Sequence, residues 1–493
     1  MKKLAFNPYL PEWEHIPDGE PRVFGDRVYI YGSHDEDGGD EFCLLDYVCW
    51  SAPVDDLGNW RCEGVIYRKE QEPLQQDKNI PGIPSRMAAG LPHLIFAPDV
   101  VQGKDGRYYL YYSMDFSNVI SVAVCDTPGG QYEFLAHVER ADGTRPKDIQ
   151  WFDPGVLCDE SGVYLYMGSA PEVRFPEMGD HLIPGGMGIR LADDMHTIIG
   201  EPFVCANGIE TCKGTSYEAH PFFEASSMRH YGDWYYHIYS SLQGHELCYG
   251  MGRSPEGPFT YCGVLVSNAD IGRDGNTHAQ NHIGNNHGSI ARIGEKYYIF
   301  WHRHTHGGQF SRQGCADELI MNPDGTFAQA EITSCGLNNA PLPANQAYRA
   351  TIACCLLGPG QPDVSELPLH PQNGPDSIIP YHTGEKDEAA HDGYFTWIEN
   401  LRPGAVFGYK YLDFAPPCTR LTMTLRGTGC VRLHLDSANG PALAEAAVSS
   451  DTWAKVHMSI PEISGVHAVY FTVGGTEKDQ LACADLGFSD GAD

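Results

Sequence analysis

The sequence has no CxxC pair, no apolar run approaching the roughly 20 residues that cross a bilayer, and only 33 lysines and arginines against 65 acidic residues. Each shortage excludes something. The 16 cysteines, scattered apart from the adjacent Cys354 and Cys355, suggest neither a zinc site nor a disulfide framework, and reduced thiols in a cytoplasm are the expectation. The opening MKKLAFNPYLPEWEHIPDGE lacks the apolar stretch of a secretion signal. A net charge of −32 repels nucleic-acid phosphates, anionic membranes and polyanionic substrates, so a neutral ligand is the easier partner. What is plentiful is glycine (55), tyrosine (27) and tryptophan (8), a mixture that favours strands and tight turns and predicts an all-β chain. At 493 residues the chain exceeds what one core usually serves, so two domains are expected.

One phrase occurs five times: a polar, glycine-containing turn followed by alternating aromatic and aliphatic residues. The copies are GDRVYIYGSHD (25–35), DGRYYLYYSMD (105–115), SGVYLYMGS (161–169), GDWYYHIYSS (232–241) and GEKYYIFWHRH (294–304). Each reads as a hairpin turn entering a buried strand. Their spacing averages roughly 67 residues, which suits four-stranded blades with long loops and predicts a five-bladed β-propeller. In that fold the starts of the inner strands surround a central funnel, where residues distant in sequence converge.

Three carboxylates precede repeats: Asp18 in HIPDGEP, Asp153 in QWFDPGVL and Glu224 in HPFFEASSMR. Glycoside cleavage needs one carboxylic acid to protonate the leaving oxygen and one carboxylate to activate water or attack the sugar. A third charge nearby raises the acid's pKa, and the apolar Phe222 and Phe223 push Glu224 the same way. Read singly, each has an ordinary explanation, because Asp before Gly or Pro commonly forms a turn and a Glu after two Phe can simply begin a strand.

The segments FNPYLPEWEHIPDGEPRVFGDRVYIYGSHD, APDVVQGKDGRYYLYYS, WFDPGVLCDESGVYLYMGS, FFEASSMRHYGDWYYHIYSS and NNHGSIARIGEKYYIFWHRH resemble, in order, the motifs of glycoside hydrolase family 43. The resemblance implies an inverting enzyme with Asp18 as general base, Glu224 as general acid and Asp153 tuning and orienting the acid. Inversion implies about 6.5 to 9.5 Å between the base and acid carboxyl groups. The base sits in Ile-Pro-Asp-Gly where the family commonly has Tyr-Pro-Asp-Pro, and Glu218, six residues before Glu224, is a rival acid.

The densest histidine stretch contains His302, His304 and His306 on one face of a strand, with no carboxylate or cysteine interleaved, so no zinc site is expected there. The resemblance places His287, in NNHGSI, near the propeller axis, where related enzymes often hold calcium largely through water. No cofactor is expected for the chemistry itself. Trp13, Phe96 and Phe223 are candidates for flat contacts with a sugar ring, Arg312 for a hydrogen bond to a sugar hydroxyl, and Asp99 for bracing the site.

After Pro341 a Pro- and Gly-rich passage breaks the repeat, dividing a propeller (1–345) from a C-terminal β-sandwich (346–493) with short strands and turn residues. The phrase YFTWIENLRPGAVFGYKYLDF is similar to the start of a carbohydrate-binding module of family 6, with Trp397 and Tyr394 as a sugar platform or as packing residues. The expected activity is exo-acting release of α-L-arabinofuranose or β-D-xylose from plant-type oligosaccharides. An endo-arabinanase, a galactan-active enzyme and a non-catalytic sugar-binding propeller remain alternatives. Long insertions at 35–60 and 60–95 point to a closed, exo-type funnel.

Overall fold

The computed structural model describes residues 3–77, 79–80, 82–147, 149–169, 181–306, 308–359, 379–386 and 394–491, with backbone alone described for 379–386 and Tyr394. The side chain of Tyr394 therefore lies outside the described set.

Five antiparallel sheets follow one another along the first two thirds of the chain. Blade 1 runs through Glu20–Phe24, Arg27–Tyr31, Tyr47–Pro53 and Arg61–Tyr67. Blade 2 comprises Ile95–Gln102, Tyr108–Met114, Ile120–Cys125 and Glu133–His137. Blade 3 comprises Gly155–Asp159, Gly162–Met167, Gly185–Leu191 and Ile198–Asn207. Blade 4 comprises Phe222–Tyr231, Trp234–Ser241, Leu247–Gly252 and Thr260–Val266. Blade 5 has three strands, Ile290–Ile293, Lys296–His304 and Arg312–Leu319. This is the five-bladed β-propeller, and each repeated phrase is the second strand of its blade. The glycine at the head of a phrase takes a left-handed conformation, as at Gly25 (φ 63°) and Gly294 (φ 63°), where a side chain would be strained.

Alternation along those second strands sends large side chains into both faces of a blade, and the faces of neighbouring blades share cores. Tyr31, Tyr47, Tyr67, Tyr112 and Tyr132 pack between blades 1 and 2, whereas Val101, Trp151, Leu165 and Ile189 pack between blades 2 and 3. Two of these buried phenols are satisfied in a chain: Tyr67 and Tyr112 share a 2.6 Å hydrogen bond, and Tyr112 donates to Glu72 at 2.6 Å.

Among the described residues the C-terminal part is one curled eight-stranded sheet. Val406–Leu435 and Ala444–Gly474 are long enough to pair with each other along their length and fold over one core, which contains Phe407, Leu421, Val431, Phe471 and Leu486. The result is a β-sandwich whose first strand is Leu342–Pro343. It is tied to the propeller by buried charge. Lys410 donates to Asp270 (2.8 Å) and Glu331 (3.1 Å), and Arg303 of blade 5 donates to the carbonyls of Thr351 (2.8 Å) and Ala353 (3.1 Å).

Candidate active site

The inner strands converge on an axis that is itself highly polar. Arg22 on blade 1 pairs with Asp99 on blade 2, and Asp99 also accepts the amide of Val156 on blade 3 at 2.8 Å. Arg229 on blade 4 binds Glu20 on blade 1 at 2.5 Å and the carbonyl of Ile290 on blade 5 at 2.8 Å. Two guanidinium groups and two carboxylates thus join all five blades, and Asp99 braces the propeller without lining its cavity.

Above this plug the entry to several inner strands is bent in the same way. Asp18 (φ 57°) and Asp153 (φ 47°) stand two residues before the strands of blades 1 and 3. On blades 2 and 4 the left-handed residues are Ala97 (φ 37°) and Ala225 (φ 66°), at bulges where the pairing register slips between Phe96 and Asp99 and between Glu224 and Ser227. Left-handed backbone at non-glycine residues stores strain, and bulges re-aim side chains; both recur at functional sites. Here they turn Asp18, Phe96, Asp153 and Glu224 into one cavity of about 440 Å³.

Asp18 is 5 % exposed, and Arg312 donates to its Oδ1 at 3.0 Å. Its backbone amide donates to Nδ1 of His302 at 3.3 Å, which leaves the proton on Nε2 to reach Oδ1 of Asn285 at 2.8 Å. Burial holds His302 well below the usual imidazole range, so that tautomer is neutral. Asp153 accepts the amide of Ala225, beside Glu224. Burial first, then the charges of Glu224 and Asp18, push its carboxyl well above the ordinary value. The charges of Asp153 and Glu224 oppose each other, so ionisation of both at once is disfavoured.

Of the residues singled out in the sequence, Asp18, Asp153, Glu224, Phe96, Phe223, Arg312 and His287 all line this cavity. Trp13 does not: it packs at 5.9 Å from the ring of Trp50, in the core shared by blades 1 and 5, because the chain turns it away from the funnel before Asp18. Glu218 is exposed on a loop and accepts the amide of Gly214 at 3.0 Å, so only Glu224 faces the other two carboxylates. Arg312 has a larger task than a sugar contact. It donates to both oxygens of Asp35 (2.8 and 3.0 Å) as well as to Asp18, under the ring of Phe42. Asp35 was not singled out, although it ends the first repeated phrase as Asp115 ends the second, and Asp115 lines the cavity. The insertions supply walls too, through Phe42 and Cys43 from the first and Ile83 from the second.

For calcium the relevant residue is His287. Its Nδ1 faces Asp153 (3.6 Å) and Asp18 (3.9 Å), and burial lowers its pKa, which favours the neutral ring. Gly288 bridges Gly19, so His287 and Glu20 flank that bridge, and Oε1 of Glu20 is a buried oxygen with no hydrogen-bond partner. Calcium prefers six to eight oxygens. The remaining acidic oxygens of the plug are held by arginines and amides, so the donor set fits an ion that keeps most of its water.

Residues 15–327 match the profile of glycosyl hydrolases family 43, a span that includes every one of these cavity residues. The chain belongs to glycoside hydrolase family 43. It is 44 % identical over 491 residues to a xylosidase/arabinosidase of Thermoclostridium stercorarium, covering 98 % of both chains. A xylosidase/arabinosidase of Bacteroides ovatus is 29 % identical over 66 % of this chain and 97 % of its own. The fold agrees with that of the family 43 enzyme from Xanthomonas citri solved with xylose, at a TM-score of 0.51 and 23 % identity over 69 % of this chain and 96 % of that one. This family 43 chain is therefore a glycoside hydrolase, and its chemistry needs no cofactor.

Proposed function

We propose that the chain is an inverting, exo-acting hydrolase that releases terminal α-L-arabinofuranose and β-D-xylose from short plant-type oligosaccharides. The observation that carries this is the convergence of Asp18, Asp153 and Glu224 from three blades on one walled cavity. The full-length likeness to the Thermoclostridium stercorarium xylosidase/arabinosidase supports the choice of sugars.

In this reading Asp18 takes a proton from a water molecule as the water's oxygen attacks the anomeric carbon. Glu224 gives its proton to the glycosidic oxygen, whose bond to that carbon breaks on the opposite face. The product sugar carries the inverted configuration, and proton exchange with solvent restores both groups. Asp153 keeps the acid protonated by repelling its negative form and fixes it through the amide of Ala225. Arg312 and His302 hold the base in register. Phe96 and Phe223 offer flat faces to the sugar ring. The walls from the two insertions favour a chain end over the middle of a polymer.

A calcium ion at His287 belongs to the same proposal; it would supply a fixed positive charge at the axis beneath the carboxylates. The 16 unpaired thiols, ten of them buried, support a reducing, cytoplasmic location. In the sandwich, Trp397 lies 5.9 Å from Phe395 and 6.2 Å from Trp453, all partly exposed, which supports a second contact surface for sugar.

The test is Asp18→Asn assayed on 4-nitrophenyl α-L-arabinofuranoside, β-D-xyloside and β-D-galactoside. A fall in kcat of at least about a thousandfold, with xylose binding retained, is expected. An unmodified protein that binds sugar but turns over none of these would make it a binding propeller, and activity confined to internal arabinan linkages would make it an endo enzyme.

A further inference from the structure

Just outside the cavity wall, three side chains from separate loops meet. His15 precedes blade 1, Asp37 lies in the first insertion and His306 follows the second strand of blade 5. One ligand atom from each lies within 4.8 Å of the others. Nε2 of His306 is 3.0 Å and Nε2 of His15 is 3.6 Å from the same oxygen, Oδ1 of Asp37.

Neighbours orient both rings. Nδ1 of His15 faces the carbonyl of Trp13 at 3.2 Å, and a carbonyl only accepts, so Nδ1 carries a hydrogen. The hydroxyl of Thr305 donates to the carbonyl of Ser311 at 2.7 Å and also faces Nδ1 of His306 at 3.1 Å and Nε2 of His15 at 3.4 Å. Nε2 of both rings thus stands beside one oxygen of Asp37, and a metal ion is the one occupant that takes all three atoms as ligands at once.

We propose that His15, Asp37 and His306 form a binding site for a divalent transition metal of the zinc type, distinct from the catalytic carboxylates. Ligand atoms about 2.0 to 2.1 Å from a tetrahedral zinc stand roughly 3.3 to 3.4 Å apart, and the two recorded separations bracket that edge. The hydrogen bonds from Nδ1 of each histidine to a carbonyl and a hydroxyl are the outer contacts that orient metal-bound imidazoles. Asp37 is 28 % exposed and His306 13 %, which gives the ion an entry path and leaves a corner of the tetrahedron for water.

The metal would fasten two loops already in contact. Ser311 accepts the amide of Gly38 at 2.8 Å and donates to the carbonyl of Glu36 at 3.1 Å, and Phe42 meets Phe310 edge-on at 4.7 Å. Phe42 in turn covers Arg312, so the ion would stiffen one wall of the sugar cavity. Its binding can be measured whether or not the hydrolytic reading holds.

The full chain, stripped with a chelator, is titrated with cobalt(II) and with zinc. One equivalent should bind, the cobalt spectrum should show no thiolate charge-transfer band, and zinc should raise the thermal midpoint. Asp37→Ala and His306→Ala, both partly exposed and outside the catalytic group, should fold and bind at least tenfold more weakly. Uptake unchanged in both variants, a thiolate band that assigns the ion to a cysteine such as Cys248 beside His220 and Glu246, or no uptake at all would each overturn the proposal. In the last case the cluster is an imidazolium–carboxylate pair.

Discussion

Replacing Arg312 with alanine removes one guanidinium from two carboxylates at once. Asp35 is 1 % exposed and receives donors at 2.8 and 3.0 Å, and Asp18 receives one at 3.0 Å. Breaking a buried ion pair by deleting one partner costs about 3 to 5 kcal/mol, because the remaining charge is left without compensation. Arg312→Ala should therefore lose about that much stability at pH 7, read by urea denaturation followed through tryptophan fluorescence. The pH dependence gives a sharper check. Burial already raises the pKa of Asp35 with Arg312 opposing it, and removing the arginine raises it further. A carboxyl whose folded pKa exceeds its unfolded value costs stability as pH rises from the unfolded value, about 3.9, through the folded one. The deficit of the variant should thus be greatest near pH 7 and shrink towards pH 4. A loss below about 1 kcal/mol, or one independent of pH, would refute the reasoning. Arg312→Lys keeps the charge but not the fork, and should recover part of the stability and little of kcat.

Asp153→Asn removes a negative charge beside the acid, so the acid should lose its proton at lower pH and the alkaline limb of kcat/KM should move down by roughly one to two units; an unmoved limb would remove Asp153 from that role. Glu224→Gln should cost at least about a thousandfold on xylobiose but much less on 2,4-dinitrophenyl β-D-xyloside, whose leaving group needs no proton; equal losses would count against Glu224 as the acid. Lys410→Met takes the buried cation from Asp270 between sandwich and propeller, and should lower stability by about 3 to 5 kcal/mol and split calorimetric unfolding into two transitions.

The blades were legible because their signal is local: a turn glycine and a two-residue alternation of large side chains are written consecutively in the chain. The position of Asp18, Asp153 and Glu224 relative to the repeats was legible for the same reason. Trp13 shows where this stops, since nothing near it says that the chain turns its ring towards Trp50 and away from the funnel. The partners of the site are non-local. Asp35 and Arg312 are 277 positions apart, and the histidine stretch that lacked an interleaved carboxylate acquires one, Asp37, from the opposite end of the propeller. Circular closure of a propeller brings its first and last blades together, and no periodicity in the sequence encodes which side chains then meet.

The most direct test of the central claim is the configuration of the first sugar released. Proton NMR during hydrolysis of a β-D-xyloside should show α-xylose accumulating first, with the β anomer growing in only by mutarotation, as single displacement by water between Asp18 and Glu224 requires. β-Xylose appearing first would mean double displacement through a covalent intermediate, and would contradict the assignment of Asp18 as base and Glu224 as acid.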